Sequence, residues 1–206
     1  MTERERAVFA AVNRVIERHV YRVPTDAARL CRLYGAALIP YSEAAARAEL
    51  SERDVVRAAG SADGFTLDRG ESWAVVYNDR VCARRQRFTL AEELMHRLLL
   101  HSQDDDFLCA RQRYDARTYA RYEDEARRAA GLLLVPPTLY YRLRRSRSLA
   151  QIAALCGVSV SCARAAARFY EADESEIRAA FTKKPIRCAP SAARSPRPRR
   201  VAWDGD

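Results

Sequence analysis

The chain has 206 residues, 49% hydrophobic and 31% charged, with a formal charge of +9. That suits one domain with appendages, or two small ones, with enough apolar mass for a core. Its longest apolar runs, such as residues 132–135, are far too short to span a bilayer, and residues 1–10 carry both signs of charge with no apolar signal core, so a cytoplasmic protein away from membranes is expected.

In chain order, residues 3–20 place Val8, Phe9, Val12, Val15, Ile16 and Val20 at helical spacing and predict an amphipathic helix. Pro24-Thr25-Asp26 starts a second helix that ends near Gly35, and residues 36–39 read as a short strand stopped by Pro40. Ser42 and Ser51 look like caps for helices at 43–49 and 52–59. Residues 65–67 and 73–77, around a turn at Asp68-Arg69-Gly70, read as a hairpin. A helix at 89–101 and an Asp-rich linker (Asp104, Asp105, Asp106) follow. Helices at 119–133 and 138–144 flank Pro136-Pro137, and residues 149–155, 157–159 and 161–170 read as helix, turn, helix.

Residues 183–206 carry +5 of the formal charge and four of the eight prolines, which predicts a disordered basic tail over 181–206. Such a tail can hold nucleic acid non-specifically or simply stay solvated. The six cysteines are scattered, with no C-x-x-C pair, and read as reduced thiols rather than a zinc cage. A DNA-reading role for residues 149–168 would rest on Arg164 and Arg168, but Ala163, Ala165, Ala166 and Ala167 leave that helix few long polar groups for bases.

The chemistry concentrates in RFTLAEELMHRLLLH, residues 87–101. One substitution, His for Glu92, would make Glu92-Glu93-Leu94-Met95-His96 an H-E-x-x-H, in which two imidazoles one turn apart hold zinc and a carboxylate acts as general base. Glu92 and His96 share a helix face, and Glu93 is adjacent. Thr89-x-x-Glu92 also fits a capping box, which would explain Glu92 without a metal. His101, five residues past His96, lies about 140° around the helix and cannot share a site with His96 unless the helix breaks, so it reads as a helix-end histidine. A third ligand is sought in Tyr122-Glu123-Asp124-Glu125-Ala126, with Glu123 first and Glu125 in reserve, Ala126 allowing close approach of the two helices.

These landmarks together resemble the ImmA/IrrE family of metallopeptidases. Tyr77-Asn78-Asp79 ends the hairpin. RRQRFTLA then leads into EELMHRLLLH, where the family has H-E-L-G-H-x-L-L-H. EDEARRAAGLLLVP follows, and then IAALCGVSVSCARAAAR. The resemblance covers about residues 5–170. It implies an α+β fold: a mainly helical, zincin-like peptidase core with a small antiparallel sheet over 1–145, then helix-turn-helix-like helices over 146–180. It implies Glu93 as general base, with His96 and Glu123 as metal ligands and Glu92 in the place of the first histidine ligand. Family members include peptidases that cut repressors of mobile elements or of stress regulons, so a protein substrate, with a helix-turn-helix repressor as one candidate, is implied.

A carboxylate can bind zinc, so two functions are expected of this pattern. One is a metallopeptidase in which Glu92, His96 and Glu123 hold zinc or another divalent metal and Glu93 moves the proton of the attacking water. Two anionic ligands would weaken acidification of that water and favour manganese or iron. The other is a pseudo-peptidase that keeps the fold and binds a protein or DNA.

Overall fold

The computed structural model describes residues 1–68, 72–101, 116–181 and 184–189. In chain order these form α1 (Glu3–His19), β1 (Arg22–Val23), α2 (Ala27–Leu33), β2 (Ala36–Pro40), α3 (Tyr41–Ala48), α4 (Glu52–Ala59), β3 (Gly64–Asp68), β4 (Trp73–Tyr77), α5 (Ala83–Leu98), α6 (Ala116–Leu134), α7 (Pro137–Leu143), α8 (Leu149–Cys156), α9 (Val160–Ala172), α10 (Glu174–Ala180) and β5 (Arg187–Cys188). The fold is mainly helical α+β, as the sequence implies.

The core sits where α5 crosses α6. Leu90, Ala91, Leu94 and Met95 of α5 pack with Ala129, Ala130 and Leu132–Val135, and Val8, Val12 and Ile16 of α1 close the far side of α6. Ala126, Ala129 and Ala130 are wholly buried. Side chains that small let two helix backbones approach closely. The apolar faces of α8 and α9 join the same core through Ile152, Ala163, Ala166 and Tyr170. Among the described residues no single helix is long and apolar enough to cross a membrane.

β3 and β4 pair antiparallel, Gly64 opposite Tyr77 and Asp68 opposite Trp73. β2 adds to β4 in parallel, giving the order β2-β4-β3. The expected antiparallel sheet is therefore mixed, because α3 and α4 intervene between β2 and the hairpin and let the chain enter β4 in the same sense as β2. Among the described residues β3 is the outer strand, with no strand paired on its far side. It lies along α5 in a ladder. A Cβ on Gly64 would stand 2.6 Å from Thr89 Cγ2. Thr66 Oγ1 donates to Glu93 Oε2 at 2.7 Å. Arg97 donates to Asp68. Two strand residues advance about 6.8 Å and four helix residues about 6 Å, so alternate strand positions meet successive turns of one helix face.

The structure corrects several local expectations. α5 begins at Ala83, not at 89, with no side-chain cap at Cys82. No Gly or Pro interrupts residues 83–88, and Gln86 Nε2 steadies the first turn by donating to the carbonyls of Asp79 and Val81. Thr89 is thus buried in mid-helix, and the capping box with Glu92 does not form. Likewise Ser42 caps nothing: α3 starts at Tyr41, and Ser42 Oγ donates to Asp79 at 2.7 Å. Ser51 does cap α4. α5 ends at Leu98, and Leu100 turns left-handed (φ 61°), so His101 leaves the helix. Residues 184–189 depart from the disorder expected over 181–206: Ile186 is fully buried, and the N–H groups of Arg187 and Ala189 donate to the carbonyls of Tyr21 and Val23, pairing β5 with β1. The predicted turn at 69–70, the Asp104–106 linker and the tail from 190 lie outside the described residues.

Gly64 is the tightest point of the ladder, since a Cβ there would also meet Val76 O at 2.9 Å. Gly64→Ala is expected to lose about 1–3 kcal/mol by overpacking, read by urea unfolding. A loss under about 0.5 kcal/mol would show that β3 can shift off α5.

Candidate active site

An open cleft of about 1880 Å³ runs between β3, α5, α6 and α9. Its floor is the α5 face carrying Glu92, Glu93 and His96, opposed by Glu123 and Arg127 of α6. Cys162 also lines it, but burial pushes that thiol up to about 11, which leaves no nucleophilic thiolate at neutral pH.

Each candidate residue has a distinct place. Glu93 accepts from Thr66 on the edge strand at 2.7 Å. His96 Nε2 is 3.4 Å from Glu123 Oε1. Glu125, the reserve, turns instead to His101 Nε2 at 3.3 Å and pairs with Arg4. Glu92 is drawn to Arg127, whose Nε stands 3.0 Å from Glu92 Oε1 while another guanidinium nitrogen donates to Glu123 Oε2 at 2.7 Å. Glu92 Oε1 is buried and receives no well-aligned hydrogen bond, so Arg127 attracts it by charge at that distance without lining up as a donor. Coulomb attraction does not need that alignment.

Burial is the main force on Glu92 and raises it from the ordinary 4.5 to about 7, with Arg127 pulling down and Glu123 pushing up.

Three participants escaped sequence reasoning. His101 reaches the site because the chain reverses at Leu100, and its Nδ1 meets His96 Nδ1 at 3.1 Å. No glycine marks that reversal, so the sequence carries no signal of it. One of these ring nitrogens donates and the other accepts. Arg127 could have been found, since it follows Glu123 by four residues and so shares its helix face. Thr66 was legible only as a strand residue.

A helix pair presenting these groups beside an edge strand suits the mainly helical α+β fold of a peptidase. The family model described as Peptidase_M78, IrrE N-terminal-like domain, matches residues 49–168, which span α4 to most of α9. The chain belongs to this family, a family of metallopeptidases. A comparison with curated proteins gives no match.

The family implies a divalent metal, and the donor set can be tested for one. His96 Nε2 and Glu123 Oε1 have the separation of two ligands on one tetrahedral zinc, whose bonds run about 2.0–2.2 Å. Glu92 does not complete the set. Among the described residues no group of three or more His, Cys, Asp or Glu side chains is placed to hold a metal ion. A guanidinium bridges two of the three expected donors instead. As arranged, these residues do not fit a three-ligand metal centre.

The raised carboxyl of Glu92 has a signed consequence. The folded chain holds this proton more tightly than the unfolded one, so the stability it contributes is full below pH 4.5 and is lost as pH rises through about 7. Wild type should therefore lose about 1–3 kcal/mol more than Glu92→Gln between pH 5 and pH 8, measured by urea unfolding at both. A wild type that gains on Glu92→Gln over that range would mean that pairing with Arg127 outweighs burial.

Proposed function

We propose that this member of a metallopeptidase family acts by binding an extended segment of a partner protein in the cleft, along the outer edge of β3. The observation that carries the reading is that the outer edge of β3, with which no strand pairs among the described residues, lines the cleft beside Glu93, His96 and Glu123. The N–H of Asn78 donates to Asp63 O, and the register continues that pair to Phe65–Val76 and Leu67–Ala74. Antiparallel alternation then turns the backbone groups of Thr66 outward, where an added strand can take them; the N–H of Gly64 also points outward but donates to Ser61 Oγ at 3.2 Å. A helix-turn-helix repressor is a candidate partner, in keeping with the family.

Hydrolysis is the second reading. It is favoured by the 3.4 Å spacing of His96 and Glu123 and by Glu93, held by Thr66 beside them. It is opposed by the binding of Glu92 and Glu123 to Arg127.

A phage-displayed peptide library selected against the full chain tests both. Binding peptides should emerge and lose at least about tenfold affinity (1.4 kcal/mol) against Thr66→Pro, which removes an outward N–H that an edge strand does not need for its own sheet. If no peptide is enriched, the binding reading fails. Mass spectrometry of the selected peptides after long incubation should show them intact, and cleavage abolished by Glu93→Gln would make hydrolysis the function.

A further inference from the structure

We propose that Arg127 is a built-in cation that competes with a divalent metal for Glu92 and Glu123, and so sets how weakly this site takes a metal. The inference deepens the reading of the same cleft and rests on its membership of a metallopeptidase family. It does not depend on peptide binding.

Glu92 and Glu123 come from different helices and face one another across the cleft floor, with Glu93 beside Glu92. Carboxylates gathered in a partly buried place need a cation between them. Arg127 supplies it, reaching Glu123 at 2.7 Å and Glu92 at 3.0 Å. An ordinary solvated pair one helical turn apart would involve Glu123 alone. Here the guanidinium also crosses to Glu92, whose side chain is only 15% exposed. The planar, multi-donor guanidinium suits two acceptors at once, as a lysine ammonium does less well.

The geometry also makes this a competition and not a permanent block. Arg127 takes Oε2 of Glu123 and leaves Oε1 near His96 Nε2, so two of the three expected donors stay in metal spacing. Its own side chain is 58% exposed and can swing to solvent. Metal affinity is then reduced by the fraction of molecules in which the arginine sits between the carboxylates. The Glu at position 92 and the Arg at 127 belong together: a histidine at 92 would give the guanidinium no anionic partner there.

The test is titration of zinc ion alone, against a chromophoric chelator, into the full-length wild type, Arg127→Gln, Arg127→Lys and Arg127→Gln/His96→Ala. Arg127→Gln should tighten zinc by about tenfold or more, the equivalent of one charge-assisted contact, and Arg127→Lys by less. Adding His96→Ala should remove the gain. Zinc affinity of folded Arg127→Gln within about twofold of wild type overturns the proposal. So does a gain that survives loss of His96, which would place the zinc on cysteines elsewhere. Should Arg127→Gln fail to fold, Arg127→Lys decides alone: an affinity equal to wild type overturns the proposal. Peptide capture can fail while the zinc effect holds, and the reverse, so the two readings are separable.

Discussion

The ladder between β3 and α5 is the constraint from which the rest of the site follows. Gly64 against Thr89, Thr66 against Glu93 and Asp68 against Arg97 fix the strand and helix in one register. A slip of one strand residue would turn Thr66 to the other face and put Phe65 or Leu67 against the Glu93 carboxylate. Glu93 would then lose its hydrogen bond and the polar floor of the cleft would meet apolar side chains. The first rung admits no Cβ, the second is a neutral donor to a carboxylate, and the third is an ion pair over Trp73. Each tolerates a different error, so together they specify the register more tightly than any one of them.

Across the cleft, α6 answers with alanines where it must be close and with charge where it faces water. Ala126, Ala129 and Ala130 bring its backbone to α5, and that proximity is what makes Glu123 and Arg127 neighbours of Glu92 and His96. The electrostatics of the site is thus a product of small-residue packing. Burial then works on the charges so assembled: Glu92 is desolvated, and the anions share one guanidinium.

Much of this could be read from the sequence. Period and punctuation locate the hairpin and the helices other than α10, and Glu92, Glu93, His96 and Glu123, which the motif singles out, meet in one cleft. The misreadings share a cause. Thr89 and Ser42 have the chemistry of caps, but local chemistry cannot reveal that Gln86 extends the helix six residues back or that Asp79 claims the Ser42 hydroxyl. His101 depends on a left-handed Leu100, which steric preference argues against. β5 depends on a pairing with β1 from the other end of the chain, invisible to any local window.

That last pairing bears on how the molecule is made. β5 is synthesised long after β1, and Ile186, next to β5, fills a place in the core. Closing so long a loop costs little more than closing one half its length, since the entropy grows only as a logarithm. The delay is the greater effect. Until β5 leaves the ribosome, Val23 lacks its strand partner Cys188 and the core lacks Ile186. For that interval this corner of the domain stays unsealed, with apolar side chains that the finished fold buries still exposed.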